Sequence, residues 1–396
     1  MSSRLAIRAV SVLAAGLALF TAACAPPDRP PASEDAASRE AVLPEPAIPF
    51  APRTYVAYRA VQPLRVDGRL DEAAWQAAAW TEDFVDIEGS SRPAPRFRTR
   101  ARMLWDSTNL YIAADLSEPD VWGTITQRDA VIFRDNDFEV FIDPDGDTHQ
   151  YYELEVNALR TAWDLFLVKP YRDGGPAING WDIHGLQVGV HVDGTLNRPG
   201  DTDRGWTVEL ALPWAALREA AHSAAPPAAG DQWRVNFSRV EWRTEARGGR
   251  YAKVLDAATG RPLPEDNWVW SPQGVVNMHY PETWGVVQFS AHAAGHGADT
   301  AAVRDEDVVK WLLRLVYYRE QAFHARQGHY TADLAKLGLE RAPLAGRPWP
   351  PVITVTPNGY EASLPLPAAT DTATGRGAAG SAAPRRLVLT ADGAVR

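Results

Sequence analysis

The sequence predicts a mainly β protein, an antiparallel β-sandwich followed by a small α+β domain. From residue 53 to residue 290, short runs that alternate apolar and polar residues are separated by turn signals, which is the pattern of half-buried strands. No long helical period interrupts these runs, and this favours packed antiparallel sheets over a parallel α/β fold. After residue 303 the apolar period becomes that of an amphipathic helix.

The elements of the first domain follow in order. TYVAYRA predicts a strand, and Asp67-Gly68 then turns the chain into a short amphipathic helix within VDGRLDEAAWQAAAW. RFRTRARMLW places arginines on one face and Phe, Thr, Ala and Met on the other, and the turn DSTN joins it to LYIAADLSE in a hairpin. Further strands are predicted in DFEVFID, HQYYELEVN, AWDLFLVKP, LQVGVHVDG, GWTVELALPW and QWRVNFSRVEWR.

The second domain is predicted over residues 304–396, after a linker of mostly small residues at 291–303. A helix is expected over residues 304–327, because Val308, Trp311, Leu312 and Leu315 lie three and four positions apart. Gly328 is expected to end it. The runs VITVT, YEASLPL and RLVLTAD predict short strands, and nothing in them indicates a role.

Residues 1–23 have the layout of a secretory signal. Arg4 and Arg8 precede an apolar run over residues 9–20 that is too short to span a bilayer. The run ends in Leu-Phe-Thr-Ala-Ala-Cys, which resembles the bacterial lipobox. That resemblance implies cleavage before Cys24, lipidation of its thiol and export as a lipid-anchored protein. Ala25 after the cysteine favours the outer membrane. The alternative is a plain secretory signal with an incidental cysteine.

Residues 24–52 are rich in proline, alanine and charge, with little to bury, and predict an extended tether. Cys24 is the only cysteine, so no disulfide can form within the chain.

Composition narrows the possible ligands. The formal net charge of −10 argues against a nucleic-acid partner, because phosphate binding needs a basic surface. Tryptophan is abundant, with 15 residues against 11 Phe and 3 Met. Indole rings suit sugar stacking as well as core packing, and we expect about two thirds of them in the core.

The stretch RDNDFEVFIDPDGDTHQYYELEVN concentrates carboxylates in one predicted hairpin. If Asp143 and His149 flank the turn, Glu139 lies opposite Glu153 and Asp137 lies opposite Glu155. Strand alternation then places these four acids on one face with Asn157, and Phe138, Val140 and Ile142 on the core face. Because facing like charges destabilise a sheet, the arginines of RFRTRARMLW or Arg239 are expected to compensate them.

The turn of this hairpin has two interpretations. Asp143, Asp145 and Asp147 are spaced like the first three ligands of a calcium loop, although Leu154 stands where a distal Glu is usual. Asp, Pro and Gly are also ordinary hairpin-turn residues. Calcium at these three aspartates is therefore one expectation, and a metal-free turn is the other.

Six stretches of the first domain belong together: in order they are VDGRLDEAAW, MLWDSTNLYIAADLSEPDVW, NDFEVFIDPDGDTHQYYELEVNALRTAWD, GWTVELALPWAAL, QWRVNFSRVEWR and WSPQGVVNMHYPETWGVVQF. They cover about residues 55–290 and resemble the carbohydrate-binding module family 9-like proteins, which have a DOMON-like β-sandwich. The resemblance implies non-catalytic binding of a polysaccharide or oligosaccharide in support of carbohydrate catabolism, often with structural calcium.

The resemblance also implies site residues. It places the first stacking aromatic at Phe133, the binding glutamate at Glu139 and the binding asparagine at Asn157. The second stacking position is Met278 instead of Trp, so Trp122 or Trp242 could substitute for it. Arg128 is a further candidate neighbour.

Two other functions stay open. Asp137 and Glu139 could act as the acid and base of a glycosidase, but no hydrolase motif accompanies them and we expect no enzyme. A b-type haem-binding sandwich could use Met278 and His279. No haem is expected, and covalent haem is excluded because CxxCH is absent.

Overall fold

The computed structural model describes residues 43–221, 225–367 and 385–396. The predicted signal peptide, Cys24 and residues 24–42 of the predicted tether lie outside the described residues. The part of the chain that is described contains no helix long and apolar enough to cross a membrane.

The first domain is built from fifteen strands and one short helix within the described residues. The helix is α1, Ala73–Ala77. The strands are β1 Thr54–Arg59, β2 Val85–Asp86, β3 Thr99–Trp105, β4 Asn109–Ser117, β5 Asp137–Asp143, β6 Tyr151–Asn157, β7 Ala162–Leu167, β8 Ala177–Ile178, β9 Gln187–Asp193, β10 Gly205–Pro213, β11 Gln232–Glu241, β12 Thr244–Arg247, β13 Arg250–Lys253, β14 Asp266–Val269 and β15 Gly285–Ala293.

Thirteen of these strands form one sheet whose two halves fold over each other. The order is β8-β7-β6-β5-β11-β15-β1-β3-β4-β10-β9, with β14 beside β11 and β2 beside β14. β12 and β13 make a separate hairpin. One cluster of buried apolar side chains takes residues from both halves, including Phe138 and Val140 of β5, Ile112 of β4 and Val208 of β10. The sandwich predicted from the sequence is confirmed.

The sheet departs from a purely antiparallel arrangement at β1. Thr54 pairs in parallel with Val286 of β15, whereas Tyr58 pairs in parallel with Leu104 of β3. After Ala57 the register along β15 shifts, and the end of β1 pairs with β3 while Arg59 still pairs with Ala293 of β15. β1 therefore lies between β15 and β3 and joins the two halves of the sandwich.

Tryptophan fills much of the interior, as its abundance predicts. All fifteen tryptophans lie within the described residues, and ten are buried. Trp214 packs edge-on against Trp105 at 6.2 Å and against Trp233 at 5.5 Å, and Phe289 lies 5.3 Å from Trp233. Edge-to-face contacts of this kind add stability beyond the buried area.

The C-terminal part contains the helix and three strands that the sequence predicts. They are α2 Asp305–Gln327, a short α3 Leu334–Leu337, β16 Val352–Thr356, β17 Gly359–Pro365 and β18 Arg386–Thr390. Gly328 ends α2 with a φ of +74°, and its N–H donates to the carbonyl of His324 at 2.8 Å. The apolar face of α2 packs on the sheet through Leu312, Val316 and Leu364.

The described end of the predicted tether does not extend from the body. Within residues 43–52, the N–H of Ala47 donates to the carbonyl of Gly274 at 3.0 Å, and Phe50 stacks on Trp311 with ring centroids 4.9 Å apart. This proline-rich segment contains a few apolar side chains, such as Phe50, that pack on apolar side chains of the folded domain. The tether prediction is therefore wrong for these ten residues.

Candidate functional site

The β5–β6 hairpin carries the candidate site. Asp137 pairs with Asn157, and Glu139 pairs with Glu155. The register predicted from the sequence, with Glu139 opposite Glu153, is therefore wrong by two residues. A shift of two leaves every side chain on its predicted face, because side chains along a strand alternate with a period of two.

The wide turn explains the shift. The carboxylate of Asp143 accepts hydrogen bonds from the N–H of Gly146 at 2.9 Å and of Thr148 at 3.0 Å. Thr148 and Gln150 both adopt positive φ, at 77° and 51°. These bonds close a larger loop than a turn flanked by Asp143 and His149 would need. The first pair in the ladder next to the turn is consequently Ile142 with Tyr152.

Four carboxylates on one side of this hairpin form what we call the acidic face: Asp137, Glu139, Glu153 and Glu155. All four are buried, with exposed fractions between 0% for Asp137 and 6% for Glu153. One oxygen from each of Asp137, Glu139 and Glu155 lies within 4.8 Å of the other two. The intervening side chains of β5 enter the sandwich core, as predicted.

Burial makes these charges costly. It raises the pKa of Glu139 to about 7, with Glu265 adding to the effect and Ser238 opposing it. Burial also raises the pKa values of Asp137, Glu153 and Glu155 well above their usual range, and repulsion from Glu139 adds to each shift. Among the described residues, no lysine, arginine or histidine pairs with any of the four.

The arginines that were expected to compensate the acidic face bind other partners. Arg98 and Arg100 both pair with Asp115 at 3.0 Å, on the other half of the sandwich. Arg239 pairs with Glu118 at 2.7 Å and with Glu241 at 2.9 Å. Strand alternation gives the reason, because Ser238 is the β11 residue that pairs with Glu139, so that Arg239 points to the opposite face. The prediction of arginine compensation is wrong.

Three aromatic side chains lie beside the acidic face, and we call them the aromatic rim: Phe133, Trp163 and Trp242. Phe133 is 38% exposed, and both tryptophans are half-buried. The N–H of Phe133 donates to Glu155 at 2.9 Å, and the indole N–H of Trp242 donates to the carbonyl of Phe133 at 2.8 Å. Trp163 pairs with Glu155 in the β6–β7 ladder.

Lys253 completes this edge of the site. Its ammonium group lies 3.2 Å from the centre of the Trp242 ring, a cation–π contact. Burial lowers the pKa of Lys253 to about 8, against the attraction of Asp135 and Glu265. Sequence analysis missed Lys253 and Trp163. The position of Trp163, on the strand that follows the acidic hairpin, is the signal that could have indicated it.

Asn157 lies beneath the site with all of its side-chain bonds made inside the protein. It is fully buried, and its amide N–H groups donate to the carbonyl of Ile125 at 2.9 Å and to Asp135 at 3.0 Å. Its amide oxygen accepts from the N–H of Leu159 at 3.1 Å and of Thr161 at 3.0 Å. Asn157 therefore shapes the turn that positions the hairpin end.

Arg128 has a separate group of partners. It donates to Asp182 at 2.8 Å and to Asp164, and Asp129 lies 3.5 Å away. These three aspartates are close enough to hold a metal ion, but the guanidinium of Arg128 already compensates part of their negative charge. None of its described contacts reaches the aromatic rim.

Met278 lies further along the same side of the sheet, in a buried apolar cluster with Phe141, Tyr151 and Trp284. Its sulfur accepts a hydrogen bond from the side-chain amide of Gln273 at 3.2 Å, and only 9% of the residue is exposed. The structure therefore places Met278 under the surface, where it offers no stacking platform. Trp122 is also buried.

The predicted calcium turn is at the other end of the hairpin from the aromatic rim. One oxygen from each of Asp143, Asp145 and Asp147 lies within 4.8 Å of the others, and carboxylates are the ligands that calcium prefers. The ammonium of Lys310 donates to the carbonyl of Asp145 at 2.7 Å, and its charge opposes the rise that burial causes in the pKa of Asp143. The donor set fits calcium, and a lysine already supplies part of the charge.

The sequence of the sandwich matches a known family. Residues 66–230 match the sequence model of the family described as carbohydrate family 9 binding domain-like. We call these residues the family 9-like domain. The family 9-like domain includes Phe133, Glu139 and Asn157, and it ends before Trp242 and Met278. It is shorter than the stretch of residues 55–290 that suggested the resemblance.

Solved structures are also similar to the chain. A protein from Bacteroides uniformis has a TM-score of 0.44 and 14% identity, covering 61% of this chain and 100% of its own. A carbohydrate binding module family 9 from Caldicellulosiruptor kristjanssonii in complex with cellotriose has a TM-score of 0.39 and 13% identity, covering 63% and 100%. The same module in complex with glucose has a TM-score of 0.39 and 14% identity, again covering 63% of this chain and 100% of its own. No curated protein matches the chain.

Proposed function

We propose that the family 9-like domain binds carbohydrate without catalysis, at the aromatic rim and the edge of the acidic face. The observation that carries this proposal is the family match over residues 66–230, which contains the exposed ring of Phe133 beside buried carboxylates. Aromatic faces stack on the C–H faces of sugars, and carboxylate oxygens accept hydrogen bonds from hydroxyl groups. Glu139 and Glu153 are buried but keep the largest exposed fractions of the four acids, 5% and 6%.

The proposed ligand is a polysaccharide or oligosaccharide. A row of one exposed and two half-buried rings suits one or two stacked sugar units. Such surface sites bind modestly because water must be displaced first. A supporting role in carbohydrate catabolism outside the cytoplasm follows if the predicted signal at residues 1–23 is used.

Binding can be tested by screening the purified protein on a glycan array and titrating each hit by calorimetry. Phe133→Ala should weaken binding at least about fivefold, because stacking contributes about 1 kcal/mol beyond buried area. Val352→Ala, which shortens a 58% exposed valine on the distant β16, is the matched control and should leave the Kd unchanged. A wild-type protein that binds no glycan contradicts the proposal.

The same protein sample separates the two other functions. A glycosidase would release shorter sugars from each glycan that binds, and a b-type haem protein would show a Soret band after purification. The absence of both signals together with glycan binding is the expected result.

We also propose that Cys24 carries a lipid that anchors the protein in the outer membrane. The lipobox-like sequence before Cys24 supports this, and stable anchoring needs more than one acyl chain. Cys24→Ser should move the protein from the membrane fraction to the soluble exported fraction. A protein that stays in the same membrane fraction is not anchored through this residue.

A further inference from the structure

Three arginines of RFRTRARMLW lie together on the half of the sandwich away from the acidic face, and we call them the arginine row. Arg98 immediately precedes β3, and Arg100 and Arg102 follow on the strand at every second position. Ala101 and Met103, which alternate with them, are buried in the sandwich core. The arginine row therefore lies on the outer side of the β3–β4 half.

Positive charge exceeds negative charge at this row. Arg98 donates through Nη2 to Oδ2 of Asp115 at 3.0 Å, and Arg100 donates to the same oxygen through Nε at 3.1 Å and Nη2 at 3.0 Å. Within the described residues, Nη1 of neither arginine forms a hydrogen bond, so both guanidiniums keep N–H donors for another acceptor. One aspartate thus compensates two arginines, whose side chains are 46% and 27% exposed.

Arg102 adds a buried positive charge to the row. Only 6% of the residue is exposed, and its Nη1 donates to the carbonyl of Trp75. In the described part of the chain, its Nε has no hydrogen-bond partner. Burial lowers the pKa of Arg102 to about 10, and the charge of Arg100 adds to this effect, whereas Tyr55 and Asp115 oppose it. Such a buried charge is unfavourable on its own, and an anion bound at the row offsets part of that cost.

An aromatic ring lies against the same row. The guanidinium carbon of Arg100 lies 4.3 Å from the centre of the Trp80 ring, and that of Arg102 lies 3.5 Å from it, so both make cation–π contacts. A guanidinium that stacks through its face keeps its N–H groups at its edge, where they can bind a carboxylate in pairs. Trp80 is half-buried, and part of its indole therefore remains accessible to the C–H face of a sugar.

We propose that Arg98, Arg100 and Trp80 form a binding site for an acidic sugar, one that carries a carboxylate on its ring as uronic acids do. The carboxylate accepts hydrogen bonds from the remaining N–H groups of the two arginines, and the sugar ring stacks on the indole. The charge of Arg102 adds to the attraction for the anion. This site lies on the other half of the sandwich from the aromatic rim, so it does not depend on sugar binding at the rim.

The test is calorimetric titration of the full chain with tetragalacturonate, beside the same tetrasaccharide with its carboxylates converted to methyl esters. The wild type should bind the acid at least about tenfold more tightly than the ester, because the ester cannot accept charge-assisted hydrogen bonds. Raising sodium chloride from about 50 mM to about 500 mM should weaken binding of the acid, since salt screens exposed charges.

Variants locate the binding. Arg98→Gln should weaken binding of the acid at least about tenfold, and Trp80→Leu should weaken it about fivefold. Asp115→Asn should strengthen it, because this change removes the carboxylate that competes for both guanidiniums. Arg204→Gln is the matched control and should leave the Kd unchanged, since it removes the same charge from an exposed arginine that also pairs with an aspartate, Asp193.

Phe133→Ala, in the aromatic rim, should also leave this Kd unchanged, so the two proposed sites can fail separately. The inference is overturned if the wild type does not bind the acid, if acid and ester bind equally, if Arg98→Gln binds as tightly as the wild type, or if Phe133→Ala loses the acid. Inorganic phosphate that displaces the tetrasaccharide at equal concentration would overturn the assignment to a sugar. If Arg98→Gln does not fold, as checked by circular dichroism, Arg98→Lys replaces it and should weaken binding by a smaller factor, because lysine keeps the charge and loses the paired donors.

Discussion

His279 provides a prediction about stability and pH that can be worked from the structure. Its ring is held among aromatic side chains, 4.5 Å from the Tyr171 ring and 5.9 Å from the Phe141 ring. Nδ1 lies 2.8 Å from the hydroxyl of Tyr151. Burial, with the charge of Arg172 adding, lowers the pKa of His279 to about 3 from 6.5. The folded protein therefore keeps this ring neutral at pH values where the unfolded chain is protonated.

The sign of the effect follows from proton binding. Between pH 6.5 and pH 3 the unfolded chain binds a proton at residue 279 that the folded chain does not bind, so acid favours unfolding. Each pH unit in this window corresponds to about 1.4 kcal/mol. Moving from pH 8 to pH 5 should therefore reduce the contribution of His279 by up to about 2 kcal/mol, and by about 1–2 kcal/mol once solvent screening of a half-buried ring is allowed for.

The acidic face has the opposite pH dependence, because its raised pKa values make the folded state more stable as pH falls. The effect of His279 must therefore be measured as a difference between variants. His279→Asn keeps an oxygen near the position of Nδ1 and should be less stable than the wild type at pH 8, because it loses ring packing. His279→Phe keeps a ring and loses the bond to Tyr151. Neither variant titrates at this position.

Urea denaturation followed by tryptophan fluorescence at pH 8, 7, 6 and 5 measures the gap in unfolding free energy. For both variants the gap to the wild type should narrow, or reverse, by about 1–2 kcal/mol between pH 8 and pH 5. The two variants should differ in their unfolding free energy at pH 8, and the change in their gap to the wild type between pH 8 and pH 5 should be the same. A gap that is independent of pH would refute the assignment of the lowered pKa to His279.

Three further predictions concern side chains in α2 or in contact with it. Phe50→Ala should lower the unfolding free energy by about 1–3 kcal/mol, measured as a lower Tm, because it removes the stacking of Phe50 on Trp311. An unchanged Tm would mean that residues 43–52 do not pack on α2. Arg172→Met should lower the unfolding free energy by about 1–3 kcal/mol in urea denaturation, since it removes the closer arginine partner of buried Glu282, at 2.8 Å, and leaves Arg314 at 3.6 Å. Adding Glu282→Leu should recover part of that loss, and a double variant as unstable as Arg172→Met would contradict this. Burial raises the pKa of Glu320 to about 7, so the folded protein is destabilised as this carboxyl loses its proton between pH 4.5 and pH 7. The unfolding free energy of Glu320→Gln should therefore exceed that of the wild type by about 2–3 kcal/mol at pH 8 and equal it near pH 4.5. Equal stability at pH 8 would contradict this.

Much of the fold could be predicted because its causes are local. The alternation of apolar and polar residues placed Phe138 and Val140 in the core, and the spacing of Val308, Trp311 and Leu312 placed α2. Strand faces survive an error of two residues in register, so the acidic face was predicted correctly although the pairing was not. The parallel position of β1 was not predictable in this way, because its partners lie more than 40 residues away in sequence at their nearest.

The candidate site was harder to predict, since it depends on which side chains meet across strands. Arg239 was a reasonable partner for the acids by charge, but its position next to Ser238 sends it to the other face. Trp163 lies next to Glu155 because β6 pairs with β7. The turn between these strands is held by hydrogen bonds from the N–H groups of Leu159 and Thr161 to the side chain of Asn157. A sequence motif also does not show whether a side chain is exposed. Met278 is buried, although the resemblance implies a stacking residue at its position.

The hydrogen bonds of Glu155 connect the acidic face to the aromatic rim. The carboxylate of Glu155 accepts the N–H of Phe133, and the carbonyl of Phe133 accepts the indole N–H of Trp242. A change in the charge or position of Glu155 therefore acts directly on the backbone that carries the most exposed ring of the aromatic rim. Bonds to an ionised carboxylate are stronger than bonds to a neutral one, so the protonation state of Glu155 sets the strength of this chain of contacts. On this argument the buried acids serve the proposed sugar-binding surface mainly by fixing the position of its aromatic rings.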